Sequence, residues 1–244
     1  MKKIICLFFV CLFNNLGYSQ TIITYAGGGQ GDGLLAIDQS IAPFNVFNDS
    51  IGNVYFNSVE VGTSFTSIRK VDVNTGIIST IAGATSPLIA SITGNATLAY
   101  IDHANIYICH NNYLKKINLN TNSVAIIAGN GVLGYSGDGG PATNAAISMS
   151  VYNRMCKDVS GDIYISDDIN KCIRKIKAST NIISTFLNPS NAPFMDTPYG
   201  LCFDGSGNLY IGDYASHIVL KANTTTSVTS IFAGLYGSPG YTGD

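Results

Sequence analysis

The feature of this sequence that most constrains its fold is a short segment, residues 207–211 (Gly-Asn-Leu-Tyr-Ile), that recurs in weaker form three times upstream. Each copy joins a turn-forming Gly, Asn or Asp to β-branched and aromatic residues, which is typical of a tight hairpin leading into a buried strand. The copies are 52, 57 and 46 residues apart, close to the length of a four-stranded propeller blade. The sequence therefore predicts an all-β repeat fold. The copies are marked by Tyr55, Tyr107, Tyr164 and Tyr210.

The last copy supplies the pattern of one predicted unit, with strands over residues 199–204, 209–212, 218–222 and 228–233. The turns between these strands are rich in Gly, Asn, Ser and Thr, so consecutive strands are expected to be antiparallel neighbours. Apolar residues of the second strand are consecutive rather than alternating, which indicates that both of its faces are covered. We therefore predict burial between adjacent blades for Val54, Phe56, Ile106, Ile108, Ile163, Ile165, Leu209 and Ile211.

The fourth strand of a unit carries an Ala-Gly signature, which the third unit replaces with Leu-Asn. An additional copy of this strand, residues 21–27, precedes the first unit without the three strands that should come before it. The sequence also stops at Asp244, inside a copy of the glycine-rich loop 134–143. We therefore expect a C-terminally incomplete propeller with four blades and an orphan N-terminal strand, which would pair with missing C-terminal blades. The four complete units are predicted to end near Gly83, Gly129, Asn188 and Gly234.

The N-terminal residues 1–19 predict a secretory signal peptide, because two lysines precede the apolar run 4–13 and small residues precede a cleavage point after Ser19. The alternative is a lipoprotein anchor on Cys11, but this cysteine lies inside the apolar run. The remaining residues, 20–244, are predicted to form one propeller domain. The protein is then expected to be secreted, and so extracellular or periplasmic.

The charge balance argues against a polyanionic partner. The full chain has 13 basic and 15 acidic residues, and loss of the two lysines in the signal peptide leaves a formal net charge of −4. This balance disfavours binding to nucleic acid or to an anionic membrane surface. No later apolar run is long enough for a membrane span. Only 11% of the residues are charged, so the surface is polar mainly through amides and hydroxyls, which suits contact with a protein or a glycan.

The mature chain keeps four cysteines, and an even number in an oxidising compartment raises the question of disulfides. Cys156 and Cys202 occupy the same strand position in successive units, where the first two units carry Phe47 and Tyr100. This equivalence favours a role as small apolar core residues. A disulfide remains the alternative, and the other two cysteines are Cys109 and Cys172.

The third strand of the first three units carries a basic pair, at residues 69–70, 115–116 and 174–175. One interpretation is a stripe of ligand-binding cations. We favour the other, in which long apolar stems pack over neighbouring strands and the charged tips lie in water.

Three segments carry a resemblance to a known family: residues 135–143 (Tyr-Ser-Gly-Asp-Gly-Gly-Pro-Ala-Thr), residues 165–176 (Ile-Ser-Asp-Asp-Ile-Asn-Lys-Cys-Ile-Arg-Lys-Ile) and residues 207–210. With the Ala-Gly strand ends, they resemble bacterial NHL-repeat β-propeller proteins over residues 21–244. The resemblance implies a closed ring of six blades, of which this chain would supply four. It also implies a family Asp-x-Gly-Asn-x-Arg run, which is degraded here: Asp167 matches the Asp, while Cys172 and His217 stand in place of the Arg.

Candidate site residues converge at one end of the predicted blades. His110, Asp167 and Asp213 each end the second strand of successive units, so they are expected around one mouth. Carboxylates and an imidazole there would suit Ca²⁺ or another divalent metal. The alternative, which we favour, is that each side chain caps its own turn by bonding backbone N–H groups, with no cofactor. The same end should present a ligand-binding face formed by Tyr135, Asp138 and Asp168.

Little in the sequence points to catalysis. The chain has three histidines, and it lacks a nucleophile elbow and a close pair of glutamates. We therefore predict a secreted, non-enzymatic scaffold whose loop face binds a protein or a glycan. The alternative, implied by six-bladed relatives, is a metal-dependent propeller enzyme, a lactonase-like hydrolase or a lyase with its site at the central tunnel.

Overall fold

The structure of this 244-residue chain is a computed structural model that describes residues 32–36, 43–59, 66–82, 97–102, 104–149 and 154–240. The predicted signal peptide, the strand predicted over residues 21–27, and residues 241–244 lie outside the described residues.

The described residues form sixteen strands in four antiparallel sheets of four strands each. In every sheet the strands pair in chain order, so each sheet is one meander and corresponds to one sequence repeat. We call these sheets units I to IV. Unit I contains β1 (Pro43–Asn48), β2 (Val54–Val59), β3 (Thr66–Val71) and β4 (Ile78–Ala82). Unit II contains β5 (Thr97–Asp102), β6 (Asn105–His110), β7 (Tyr113–Asn118) and β8 (Val124–Ala128). Unit III contains β9 (Met155–Lys157), β10 (Ile163–Asp167), β11 (Cys172–Ile176) and β12 (Ile183–Leu187). Unit IV contains β13 (Pro198–Phe203), β14 (Asn208–Asp213), β15 (Ile218–Asn223) and β16 (Thr229–Gly234).

The units are the blades of a β-propeller, which confirms the predicted fold class. The fourth strands end close to the predicted residues, at Ala82, Ala128, Leu187 and Gly234. In the described part of the chain the helical residues have 3-10 geometry, over Ala142–Asn144 and at Ala36. No described helix is long and apolar enough to span a bilayer.

Apolar side chains fill the spaces between successive units. One cluster joins units I and II, a second joins II and III, and a third joins III and IV. Within the third cluster, Tyr164 of β10 packs edge-on against Phe186 and against Phe203 of the next unit. Seven of the eight second-strand residues are buried, as predicted, and Val54 is half-buried. Six of them lie between two units, while Phe56 packs with Ala36, Val71 and Ile78 of unit I and the segment before it.

The repeated tyrosine has a structural role in all four units. Its hydroxyl donates a hydrogen bond to an aspartate at the end of the first strand or directly after it, and in unit II the distance from Tyr107 Oη to Asp102 Oδ2 is 3.2 Å. The same carboxylates accept backbone N–H groups of the turn in units I, III and IV. This explains why each repeat begins with a turn residue and continues to a tyrosine. The other pairs are Asp49–Tyr55, Asp158–Tyr164 and Asp204–Tyr210.

The Ala-Gly strand ends have a geometric cause. Gly129 and Gly234 have positive φ angles of 89° and 86°. A Cβ on Gly129 would lie 2.0 Å from the carbonyl oxygen of Asn112, and a Cβ on Gly234 would lie 2.3 Å from that of His217. Only glycine lets the end of the fourth strand approach the turn between the second and third strands this closely.

The glycine-rich loops lie along the outer edge of the unit that follows them. Residues 139–142 pair with β12, where Gly139 N donates to Ile183 O and Ile183 N donates to Gly140 O. Residues 33–36 pair in the same way with β4 of unit I. Such pairing covers an otherwise open strand edge. The fourth strands of units II and IV, which no glycine-rich loop precedes, are largely exposed.

The four cysteines of the described residues are free thiols. Cys156 is buried in the core between units III and IV, as predicted. Cys202 was predicted to be a core residue too, but it is exposed. The cause is the face it occupies: Cys202 pairs with Tyr210, on the side of unit IV opposite to unit III, and no described unit packs there.

Candidate functional site

The end of the blades that carries the connections from second to third strands and from one unit to the next is called the loop end below. The three predicted metal ligands all lie there, because His110, Asp167 and Asp213 end β6, β10 and β14 in the same register. All three side chains are buried. Their hydrogen-bond partners show whether each side chain caps a loop or could bind a metal.

Asp213 holds two loops of unit IV. Its Oδ2 accepts the backbone N–H of Asp196 at 2.8 Å, and its Oδ1 accepts those of Thr197 at 3.1 Å and Ser216 at 2.9 Å. The carboxylate thus caps its own turn and also the segment entering β13. This is the capping role favoured from the sequence.

Asp167 sits in a comparable but more buried network. It accepts hydrogen bonds from Ser148 N at 3.2 Å and Asn170 Nδ2 at 2.8 Å, and Arg174 Nη1 lies 3.5 Å from its Oδ2. Burial raises the pKa of this carboxyl to about 6, against a smaller opposing effect of these partners. Asp167 is therefore ionised at neutral pH and fastens the loop that precedes unit III.

His110 lies beside a lysine of the next strand. Its Nδ1 is 3.0 Å from Lys115 Nζ, and burial lowers the pKa of that lysine. Among the residues that the structure describes, no three His, Cys, Asp or Glu side chains are grouped closely enough to hold a metal ion. The structure brings His110, Asp167 and Asp213 to the same end of the blades but not to one site.

Arg174 corrects the interpretation of the basic pairs. Its side chain is 0% exposed, so its charged tip is not in water. The Nη2 atom donates to Asp138 Oδ1 at 2.7 Å and to Ser136 O at 3.0 Å, while Asp138 Oδ2 accepts Thr185 N at 3.0 Å. The loop carboxylate thus fastens to the third and fourth strands of unit III. We call Asp138, Arg174 and Thr185 the unit III clasp.

Unit I has the same clasp. Asp32 Oδ1 lies 2.8 Å from Arg69 Nη2, and Asp32 Oδ2 accepts Thr80 N at 2.9 Å. At the matching paired positions, unit II has Lys115 and Ile126, and unit IV has Leu220 and Ile231. The Arg and Thr pair therefore occurs in the two units whose outer edge is covered by a glycine-rich loop.

Tyr135 and Asp168, the other residues predicted for the ligand face, differ in accessibility. The Tyr135 ring lies 5.0 Å from the Arg174 guanidinium, its hydroxyl lies 2.7 Å from Thr185 Oγ1, and it remains half exposed. Asp168 is buried. Burial raises the pKa of the Cys109 thiol to about 12, and the nearby Asp168 carboxylate adds to this rise. Asp168 is thus directed towards the interior rather than the surface.

A group of aromatic residues at the loop end of unit IV was not predicted. Tyr214 is 69% exposed and Tyr236 is 52% exposed. Tyr199 and Tyr214 stack with their centroids 5.5 Å apart and their planes 26° from parallel, and Phe194 meets Tyr236 edge-on at 5.5 Å. We call these four residues the unit IV aromatic cluster. These residues come from four different segments of the chain, so no local sequence motif predicts that they lie together.

The backbone holds the segments of this cluster together. Tyr214 N donates to Thr197 O, and Gly237 N donates to Ser216 O, both at 3.0 Å. Because Asp213 also bonds Thr197 and Ser216, the exposed rings stand on a hydrogen-bonded base.

Beside the stacked tyrosines lies an open cavity of about 390 Å³. Its floor contains Gly200 and Gly212, and Asp213 and His217 supply its polar groups. The position of Gly212, two residues after the repeated tyrosine, is occupied by larger side chains in the other units. These are Asn57, Cys109 and Ser166.

No protein-family model matches the chain, and no curated protein matches it. Among solved structures, it is similar to TolB from Acinetobacter baumannii, at 9% identity and a TM-score of 0.53, over 80% of this chain and 45% of TolB. It is also similar to virginiamycin B lyase from Staphylococcus aureus, at 15% identity and a TM-score of 0.49, over 82% of this chain and 57% of the lyase. A third is an auxiliary nutrient binding protein from Bacteroides thetaiotaomicron, at 17% identity and a TM-score of 0.45, over 66% and 42%. At these identities the likeness concerns the propeller fold, and the chain spans less than two thirds of each of these proteins.

Proposed function

We propose that this chain is an exported NHL-type propeller scaffold that binds a protein or glycan partner, without catalysis, through the loop end of unit IV. The observation that carries the proposal is the unit IV aromatic cluster, which consists of two ring pairs on segments joined by backbone hydrogen bonds. Clustered apolar groups on a polar surface mark interaction sites.

The rigidity of the cluster supports binding rather than incidental exposure. Asp213 and the backbone bonds of Thr197 and Ser216 hold the loops in place. Tyrosine offers a large contact area and loses little side-chain conformational entropy on binding. A surface that is already ordered also pays a smaller entropic cost when a partner binds. Half-exposed Tyr135, held over Arg174, extends this surface towards unit III as a second contact residue.

The partners of the candidate acid and base groups support a non-catalytic role. Asp167 and Asp213 each accept two or more hydrogen bonds from loop N–H groups, Asp138 is held in the unit III clasp, and His110 lies against Lys115. Side chains that already hold these hydrogen bonds and ion pairs stabilise loops and are poorly placed to exchange protons with a substrate.

Export and the NHL assignment rest on the sequence. Residues 1–19 have the charge and hydropathy pattern of a signal peptide. The low charge content suits a protein that works outside the cell. Cell fractionation tests export: the protein should be found outside the cytoplasm without residues 1–19, and recovery of the uncleaved chain in the cytoplasm would contradict it.

Binding is tested with the purified chain on arrays of defined glycans and defined bacterial surface proteins. We expect retention on at least one defined ligand, and loss of that retention in the double variant Tyr214→Ser/Tyr236→Ser. The control is Val159→Ser, which alters a fully exposed side chain in a turn of unit III. Equal retention of the double variant and the wild-type chain would refute the proposed surface.

A further inference from the structure

We propose that the outer edge of β8 in unit II binds an extended acidic segment of a partner protein, which adds to the sheet as a fifth strand. This surface consists of Val124, Ile126 and the nearby Lys115, and we call it the unit II edge. It is a second contact surface, separate from the unit IV aromatic cluster. Unit II packs between units I and III, so the edge belongs to an interior blade.

Unit III shows how this chain covers such an edge. Gly139 N donates to Ile183 O of the outer strand at 2.9 Å. The carboxylate of Asp138 accepts Thr185 N at 3.0 Å and lies 2.7 Å from Arg174 Nη2. The same contacts recur in unit I. A short Asp-Gly segment in extended conformation therefore satisfies both the open backbone of the outer strand and the cation beside it.

β8 has the same register without this cover. Val124 and Ile126 stand at the paired positions of Ile183 and Thr185. Among the described residues, no segment beyond the sheet forms a backbone hydrogen bond with either of them, and their side chains are 39% and 47% exposed. Open strand edges are usually protected by charged residues or proline, but residues 117–137 contain neither. β8 is therefore an edge that can accept a further strand.

Lys115 determines the charge of the partner. It stands at the paired position of Arg174, and its Nζ lies 3.0 Å from His110 Nδ1. Burial lowers the pKa of Lys115, and no carboxylate in the described part of the chain offsets this effect. The segment before unit II, residues 83–96, contains no Asp or Glu. A carboxylate supplied by a partner would give Lys115 the ion pair that Asp138 gives Arg174.

Ile126 sets one difference between the partner and the segment that covers unit III. In unit III the Tyr135 hydroxyl lies 2.7 Å from Thr185 Oγ1, whereas Ile126 has no hydroxyl. Tyr135 is three residues before Asp138. At the corresponding position we expect the partner to carry an apolar side chain, such as Phe or Leu.

The probe is a fluorescein-labelled peptide with the sequence of residues 134–143 and Phe in place of Tyr135, and fluorescence anisotropy measures its binding to the full chain. We expect a Kd below about 1 mM. Asparagine in place of the aspartate of the peptide should weaken binding by about tenfold. In the chain, Lys115→Met should weaken binding to the same extent. The matched control is Lys116→Met, because successive side chains of a strand point to opposite faces, and it should bind the peptide as the wild-type chain does.

A gain of affinity provides a second measurement that does not depend on a loss of binding. The double variant Lys115→Arg/Ile126→Thr places in unit II the pair that units I and III use. It should bind the peptide with Tyr135 retained about tenfold more tightly than the wild-type chain does.

The proposal is overturned by the absence of binding up to about 1 mM, by equal binding of the Asp and Asn peptides, or by equal binding to Lys115→Met and the wild-type chain. Should Lys115→Met fail to fold, unchanged affinity in the double variant would overturn it. Sedimentation velocity tests the other occupant: a dimer of the purified chain that Ile126→Lys dissociates would assign the edge to a second copy instead. Tyr214→Ser/Tyr236→Ser should leave peptide binding unchanged, so this surface and the unit IV surface are tested separately.

Discussion

Asp138 Oδ1 and Arg174 Nη2 lie 2.7 Å apart across 36 residues of sequence, and the arginine side chain is fully buried. The aspartate belongs to the loop that leaves unit II, and the arginine belongs to the third strand of unit III. Their ion pair therefore ties the chain leaving one blade to the outer half of the next.

Removing Arg174 should destabilise the protein strongly. The change Arg174→Met leaves Asp167 buried without its cation, and loss of one partner of a buried pair costs about 3–5 kcal/mol. Arg69→Met is the comparison, because the unit I position that corresponds to Asp167 is the uncharged Ser58. The clasp aspartates Asp32 and Asp138 are similarly exposed, at 47% and 43%, and pairs with an exposed partner contribute about 1 kcal/mol or less. Urea denaturation measures both losses. Equal losses would show that the buried Asp167 does not depend on Arg174.

Asp167 should make stability depend on pH. Burial raises its folded pKa from 3.8 to about 6, so the folded state holds this proton more tightly than the unfolded state. The resulting stabilisation is complete below about pH 4 and is lost as the pH rises through about 6. Relative to Asp167→Asn, the unfolding free energy of the wild-type chain should fall by up to about 3 kcal/mol between pH 4 and 7. A difference that is constant across this range would contradict the assignment.

Gly129 should not tolerate a side chain. In Gly129→Ala the Cβ would lie 2.0 Å from the Asn112 carbonyl oxygen, in addition to the cost of a positive φ. Gly139→Ala is the control, because Gly139 has a similar φ of 80° and open space around it. The control should cost about 1–2 kcal/mol and Gly129→Ala clearly more, as measured by thermal unfolding. Similar losses of stability in the two variants would mean that the backbone near Gly129 and Asn112 moves apart at little cost.

Cys202 should be the most reactive of the described thiols. It is exposed while Cys109, Cys156 and Cys172 are buried. Burial raises the pKa of Cys202 as well, so its alkylation by iodoacetamide should be slow at pH 7 and faster at pH 9. Mass spectrometry of the folded chain should find the label on Cys202 first. Earlier labelling of Cys156 would show that the face between units III and IV opens.

Much of the fold could be predicted because its determinants are local and repeated. The Gly-Asn-x-Tyr turn and the Ala-Gly strand end each correspond to a contact made inside one unit, and these contacts are repeated from unit to unit. Burial of Ile108 and Ile165 followed from the same pattern, because a strand with consecutive apolar residues needs cover on both faces. The orphan strand and the missing blades stay predictions.

The candidate site was harder to predict because its contacts are not local. Arg174 was expected in water, since its burial depends on Asp138 and on a loop that the strand pattern does not include. The common register of Asp167 and Asp213 was correctly inferred. The sequence could not show that the two carboxylates bond different loops. Tyr214 and Tyr236 were missed because they meet only in the folded chain.

The clasps alternate along the chain, since units I and III have them and units II and IV have Lys115 with Ile126 and Leu220 with Ile231. The structural period of the protein is therefore two blades rather than one. A duplication or deletion of a single blade would place an Asp loop before a blade without the matching Arg and Thr. Length changes in proteins built on this pattern should accordingly occur in pairs of blades, even though each blade alone contains a full set of strands.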